Sequence, residues 1–134
     1  MEVVQRPETA VLGLEVTAPF GELAEAVPAA WRRLFARSDE LPAPPDGAFA
    51  EASLHLGDGR YRETVGVLVS GPVDVPDGMV LTTLPAGRYV RHRHTGPVEA
   101  IADAFRAAHE WAAARKASAT VSYTHLTLPT ICSV

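Results

Sequence analysis

The sequence repeats part of itself at an offset of 78 residues. The segment Pro7–Arg37 aligns with Pro85–Arg115 without a gap, and nine of the 31 aligned pairs are identical. Alanine is common in both segments, so the Thr-x-Pro that precedes each helical pattern is the more informative part of the match. A repeat constrains the architecture because both copies should fold into the same unit. A period this long is not a solenoid unit, and it predicts two similar subdomains with a site between them.

The composition restricts the class of protein. The chain has 134 residues, of which 47% are hydrophobic and 21% charged, as in one compact globular domain. Its net charge of −4 argues against a nucleic-acid-binding face. It has no signal-peptide pattern and no apolar stretch of the ~20 residues that a membrane span needs, so we expect a soluble cytoplasmic protein. The single cysteine, Cys132, excludes an internal disulfide, and we expect no cofactor.

Periodicity predicts two strands, a helix and a hairpin in the first half. Apolar residues recur at three- and four-residue steps after Pro19, which predicts an amphipathic helix to about Arg37. Pro28 should kink this helix or mark its start. Gly57-Asp-Gly59 is typical of a hairpin turn. The predicted strands are Glu2–Arg6, Ala10–Val16, Phe49–Leu56 and Arg60–Ser70, with a loop at Ser38–Gly47.

The second half begins in the same way. Met79–Leu84 and Arg88–His94 are predicted strands, and Gly96-Pro97 is predicted to start the second helix. The offset would place a second hairpin at about 127–148, but the sequence ends at residue 134. We therefore expect one repeat at 1–72 and a partial repeat at 79–120. An unpaired sheet edge would then favour homodimers or aggregates.

The final segment, Val121–Val134, lacks the loop character found at the corresponding place in the first half. Its run VSYTHLTLPTI resembles the conceptual translation of a transposase-type sequencing adapter read into an open reading frame. Alternatively, its threonine, tyrosine, leucine and isoleucine residues suit a genuine strand. The adapter interpretation predicts a native domain at 1–120 followed by a non-native tail.

A family resemblance rests on the run Met79–Pro97. It has the order apolar strand, Pro-Ala-Gly-x-Tyr, strand, and Gly-Pro before a helix, and it resembles the second-half signature of GyrI-like (gyrase-inhibitor-like) effector-binding domains. Val3–Pro7 with Val11–Leu14, and Tyr61–Val69, resemble the opening and the closing strand of the first half. The resemblance covers Glu2–Thr120. It implies an α+β fold of tandem strand–helix–strand–strand repeats, in which a curved antiparallel sheet carries two helices on one face.

The same resemblance implies a function. It favours a stand-alone effector-binding domain, rather than an enzyme, that holds a hydrophobic or cationic small molecule in a cleft between the repeats. The first alternative is a hydrolase of electrophilic cyclopropane-type compounds that uses Tyr89 and a carboxylate such as Glu63. The second is a module that inhibits a partner protein. The glutamate that family members use for cationic ligands lies in the closing hairpin of the second repeat, so no residue here is assigned to it.

Tyr89 and Glu63 are the leading candidate site residues. Tyr89 matches the tyrosine of the family motif, and strand alternation places it on the open face, away from the helices. It could stack on a ligand and donate a hydrogen bond, or simply cover the sheet. Glu63 shares a strand face with Tyr61, and a carboxylate beside an aromatic ring suits a cation or a general base. The alternative for Glu63 is a solvated strand residue.

Two tryptophans complete the predicted ligand site. Trp31 lies on the apolar stripe of its helix, which favours core packing, whereas Trp111 lies toward the flank of the second helix. Glu51 and Glu15 are weaker parallels to Glu63.

The pair His92 and His94 lies on one face of a strand, a spacing that can hold a metal. The sequence offers no third ligand at a suitable spacing, so we expect hydrogen-bonded histidines and no metal site.

Overall fold

The computed structural model describes residues 1–42, 49–94, 101–115, 121–126 and 130–133. Within these ranges it contains eight strands and two α-helices. In chain order they are β1 (Glu2–Arg6), β2 (Thr9–Pro19), α1 (Leu23–Ala36), β3 (Phe49–Gly57), β4 (Arg60–Val69), β5 (Val80–Leu84), β6 (Gly87–His94), α2 (Ile101–Ala114), β7 (Val121–Leu126) and β8 (Thr130–Ser133).

The strands form one antiparallel sheet in the order β1-β6-β8-β7-β3-β4-β2-β5. If each strand is exchanged for its counterpart in the other half, β1 for β5, β2 for β6, β3 for β7 and β4 for β8, the order reads the same from the opposite end. A pseudo-two-fold axis therefore passes between β3 and β7. The bounds of α1 and α2 differ by 78 residues, as do those of β1 and β5. The structure confirms the tandem α+β architecture.

Both helices lie on one face of the sheet, as predicted. Ala30 and Leu34 of α1 pack against Val65 of β4, and Ala108 and Ala112 of α2 pack against Val90 of β6. The strand register joins these two places on one face. Residues paired across neighbouring strands lie on the same face, as do residues two apart on one strand. His92, two residues after Val90, pairs with Cys132, and Cys132 pairs with Thr124. Thr124 pairs with Glu51, which in turn pairs with Val65.

The sheet is strongly curved toward its helix-free face. Strands β5 and β6 lie near opposite ends of the sheet, yet only two residues separate Leu84 from Gly87. The turn between them draws the two ends together. Leu84, Val11 and Tyr89 consequently share one buried cluster on the helix-free face.

The first helix begins later than predicted from the position of Pro19. Strand β2 runs to Pro19, a 3₁₀ turn follows at Phe20–Glu22, and α1 begins at Leu23. The helix continues on both sides of Pro28, so the idea that Pro28 marks its start is wrong. At the other end, the Arg37 guanidinium donates to the Asp77 carbonyl oxygen over 2.7 Å and ties α1 to the segment between the repeats.

The structure corrects the prediction that the second hairpin is missing. Strands β7 and β8 occupy its place at the centre of the sheet, between β6 and β3. They have six and four residues, whereas β3 and β4 have nine and ten. The second repeat is thus shorter than the first, but β1 and β5 form the sheet edges. The expected unpaired edge beside the second helix is absent from the described strands.

Some predictions fall outside what the structure describes. These are the loop residues 43–47, the Gly96-Pro97 helix start and the side chains of His92 and His94. Neither described helix is long and apolar enough to span a membrane.

Candidate functional site

Glu63 is a buried carboxylate on the helix-bearing face of β4. Its register partner on β3 is Ser53, whose hydroxyl donates a 2.7 Å hydrogen bond to Glu63 Oε1. The residue is only 7% exposed. Burial raises the pKa of Glu63 to about 7; the Ser53 hydrogen bond opposes this shift, and the nearby Glu51 carboxylate adds to it.

Glu51 is a second carboxylate on the same face, two residues before Ser53 on β3. Burial raises its pKa, and a hydrogen bond from the Trp31 indole of α1 opposes that shift. Glu51 and Glu63 are diagonal neighbours across the β3–β4 pair, because Glu51 lies opposite Val65. We refer to Trp31, Glu51, Ser53 and Glu63 as the acidic site.

The acidic site has no cationic partner among the described residues. The ion pairs among the described residues all lie outside the acidic site and join Arg37 with Glu40, Arg62 with Glu15, Arg91 with Glu2, and Arg106 with Asp103. A buried carboxylate without a counter-ion either takes up a proton or favours a bound cation.

Aromatic rings flank the acidic site on the helix side. The Trp31 ring stacks on Phe35 at 5.6 Å between centroids and meets Phe49 edge-on at 6.0 Å. Phe35 is 51% exposed, so this cluster reaches the surface. Such rings provide apolar area and a negative π-face for a cation.

A second aromatic group lies at the other end of the acidic site. Tyr61, two residues before Glu63, stacks on His55 with centroids 4.8 Å apart. Its ring is also 5.9 Å from that of Phe20, which is 71% exposed. The buried Glu63 and the half-buried Glu51 are thus bordered by aromatic side chains toward both the helix and the hairpin end.

The structure brings together three of the five predicted site residues. Glu63, Tyr61 and Trp31 share the helix-bearing face. Glu51, a weaker candidate, joins them, whereas Glu15 lies on the helix-free face, 3.7 Å from Arg62.

Tyr89 lies elsewhere, on the opposite face of the sheet. Its placement away from the helices is confirmed, but that face is closed by curvature, and Tyr89 is only 8% exposed. Its ring packs in the cluster of Val11, Ala50 and Ala52, and its hydroxyl donates to the Pro85 carbonyl oxygen over 2.6 Å. The structure therefore does not bring Tyr89 and Glu63 together as an acid–base pair.

Trp111 is also remote from the acidic site. It lies on α2 and packs with Val90 of β6 and with Ala112. The Arg115 guanidinium lies 3.5 Å above the centre of its ring. Its indole face is therefore already occupied by a cationic side chain.

Sequence reasoning missed Ser53 and undervalued Glu51. A signal for both was present, because a hairpin centred on the predicted turn at Gly57–Gly59 pairs Ser53 with Glu63. The same alternation places Ala50 and Ala52 on the other face, where they are buried. Within the described part of the chain, no cluster of three potential metal ligands is found.

Comparison with known proteins gives a family and a fold. The model of the family described as "GyrI-like small molecule binding domain" matches residues 1–125. The transcriptional regulator BrlR of Pseudomonas aeruginosa is 28% identical over 107 residues, which are 78% of this chain and 38% of that protein. The chain thus spans well under half of BrlR.

Two solved structures share the fold. SAV2435 bound to tetraphenylphosphonium has a TM-score of 0.77 at 14% identity, covering 98% of this chain and 90% of that one. Integron cassette protein VCH_CASS2 from the mobile metagenome of Vibrio cholerae has a TM-score of 0.70 at 16% identity, covering 98% and 92%.

Proposed function

This chain belongs to the GyrI-like small molecule binding domain family, and we propose that its ligand is a lipophilic cation held at the acidic site. The cationic centre would lie against the carboxylates of Glu51 and Glu63. Trp31 and Tyr61 would supply aromatic surface on either side of it.

The observation that carries this proposal is the buried carboxylate of Glu63 with the half-buried carboxylate of Glu51 beside it, both without a counter-ion among the described residues. Burying an ionised carboxylate is costly unless an opposite charge or several hydrogen bonds accompany it. Glu63 accepts a hydrogen bond from Ser53, the Trp31 indole lowers the pKa of Glu51, and neither carboxylate has an ion-pair partner among the described residues. A cation of low hydration energy with apolar substituents matches this surrounding, because it satisfies the charge and covers the rings.

The fold comparison supports the choice of ligand class. SAV2435, whose fold is similar, was solved with tetraphenylphosphonium, a permanently charged aryl cation. Its low sequence identity carries no residue role to this chain, so the assignment of Glu51 and Glu63 rests on their geometry.

The same geometry favours binding over hydrolysis. The hydrolase alternative needs Tyr89 beside a carboxylate, but Tyr89 and Glu63 lie on opposite faces of the sheet. The Tyr89 hydroxyl is also held by the Pro85 carbonyl oxygen. A ligand at the acidic site would therefore meet the two carboxylates and the aromatic rings around them, but not Tyr89.

Isothermal titration of the full chain with tetraphenylphosphonium tests the proposal. We expect saturable binding that is at least about tenfold weaker in Glu63→Gln, a loss of roughly 1.4 kcal/mol. Glu15→Gln is the matched control, because Glu15 is a strand glutamate on the opposite face. Triphenylphosphine oxide, an uncharged aryl compound, should bind much more weakly. Equal affinity of Glu63→Gln and the wild type would refute the assignment.

A further inference from the structure

Ser53 is the hydroxyl-bearing residue of the acidic site. It lies directly opposite Glu63 in the β3–β4 pair, and its hydroxyl donates to Oε1 over 2.7 Å. A strand-to-strand hydrogen bond of this kind fixes the carboxylate plane, because both backbones are held by the sheet.

The two oxygens of Glu63 are therefore not equivalent. Within the described part of the chain, Oε1 accepts the Ser53 hydrogen bond and Oε2 accepts none. Oε2 is left as the atom at which a proton or an external cation can bind.

Among the described residues, no ion pair joins Glu63 to a cationic side chain. On its own face, β3 contributes Glu51 and His55, and β4 contributes Tyr61. Strand β2 places Val16 opposite Glu63, and α1 contributes the Trp31 indole through Glu51. Burial and the Glu51 carboxylate both favour the protonated form of Glu63, and the Ser53 hydrogen bond favours the ionised form.

We propose that Ser53 is a positioning residue that makes a ligand's cationic group and a proton alternative occupants of the Glu63 carboxylate. This inference rests on the proposed function and adds a mechanism to it. Each cation that binds to the protonated site releases one proton from Glu63 to the buffer, so charge and atoms balance. Affinity then rises with pH until Glu63 is ionised in the free protein.

Calorimetry in two buffers of different ionisation enthalpy counts the released protons. Tetraphenylphosphonium is the probe because it does not titrate, so any proton released on binding comes from the protein. We expect about 0.8 proton per ligand at pH 6.5 and almost none at pH 9. Glu63→Gln should abolish the release, whereas Glu51→Gln should keep it and move its midpoint to lower pH.

Variants of Ser53 separate positioning from a structural role. Ser53→Ala removes the donor that favours ionised Glu63, so the midpoint of the affinity–pH profile should rise by about one pH unit. Binding at pH 7 should weaken by about fivefold and recover at pH 9. Ser53→Thr keeps the hydroxyl on a β-branched residue suited to a strand and should restore the wild-type midpoint. A loss of affinity that is equal at all pH values would show a structural role only.

The outcomes also separate this inference from the proposed function. Absence of tetraphenylphosphonium binding at pH 9 would overturn the proposed function. Binding without proton release at pH 6.5 would overturn only the exchange at Glu63. Release that persists in Glu63→Gln and disappears in Glu51→Gln would overturn the assignment to Glu63.

Discussion

The buried carboxyl group of Glu63 makes the folded protein less stable when it is ionised. A carboxyl that binds a proton more tightly in the folded than in the unfolded chain makes folding less favourable as pH rises. The pKa of Glu63 rises from an ordinary value of 4.5 to about 7 in the folded protein, so its contribution to the free energy of unfolding is most favourable at and below pH 4.5. That stability is lost as pH rises through 7. A ligand cation would restore it.

Replacement of Glu63 by glutamine should therefore stabilise the protein at alkaline pH. We expect the free energy of unfolding of Glu63→Gln to exceed that of the wild type by up to about 3 kcal/mol at pH 9. At pH 4.5 the two proteins should be nearly equal. Urea denaturation at both pH values measures the difference, and Glu15→Gln serves as the control. A difference that does not change with pH would contradict the raised pKa of Glu63.

Tyr89 should affect stability and not ligand affinity. Tyr89→Phe removes the hydrogen bond to the Pro85 carbonyl oxygen and should lower the free energy of unfolding by about 1 kcal/mol. Its affinity for tetraphenylphosphonium should equal that of the wild type, since Tyr89 lies across the sheet from the acidic site. A marked loss of affinity would show that the ligand binds on the helix-free face, beside Tyr89.

At the scale of elements, two glycines allow the close approach of β2 and β4. Gly13 and Gly66 lie opposite each other, and a Cβ on Gly13 would be 1.8 Å from the Val65 carbonyl oxygen. A Cβ on Gly66 would be 1.9 Å from the Leu12 carbonyl oxygen. The contacted atoms are backbone, so a side chain at either position must displace a strand.

Gly13→Ala should be strongly destabilising, by about 3 kcal/mol or more, because the clash is with backbone that cannot rotate away. Gly21→Ala is the matched control, since a Cβ there has nothing within 4 Å. The control should change stability by less than about 0.5 kcal/mol. Thermal melts of both variants test this, and similar melting temperatures would show that β2 and β4 can separate at no cost.

At the scale of the whole molecule, the pseudo-two-fold sheet depends on its central strands. Strands β7 and β8 pair with β3 and β6 and so join the two halves of the sheet. Glu51 and Ser53 lie on β3, next to the axis, so the acidic site is close to this junction. Its carboxylates come from the first repeat alone, and the fold symmetry is not matched by symmetry of the site.

Removal of residues 121–134 should expose two strands that are paired in the full chain. A chain of 1–120 would leave the backbone groups of β3 and β6 open to pairing with another molecule. We expect it to form aggregates or larger oligomers, while the full chain does so less. Light scattering after size exclusion compares the two. A monomeric, cooperatively melting 1–120 chain would show that β7 and β8 do not contribute to the fold.

The non-native origin of residues 121–134 stays a prediction. Resequencing of the source locus across the codons for Ala117–Val134 tests it. A frame that continues past Thr120 with a different sequence would confirm adapter read-through, and genomic DNA that encodes Val121–Val134 would contradict it.

Much of the fold could be predicted because its determinants are local or repeated. The offset of the repeat placed α2 and β5 from α1 and β1, and the turn at Gly57–Gly59 implied the pairing of Ser53 with Glu63. The burial of Tyr89 could not be predicted, because its neighbours Val11 and Ala50 are distant in sequence and meet it only when the sheet curves. A strand at Val121–Ile131 was only the alternative to a non-native tail, because the repeat in the sequence ends before it.

The position of a bound cation tests the central claim most directly. Tetraphenylarsonium has the shape and charge of tetraphenylphosphonium, and its arsenic can be located in a crystal by anomalous scattering. We predict an arsenic peak on the helix-bearing face, within about 6 Å of the Glu63 or Glu51 carboxylate. A peak beside Tyr89 on the helix-free face, or beside Trp111, would contradict the account.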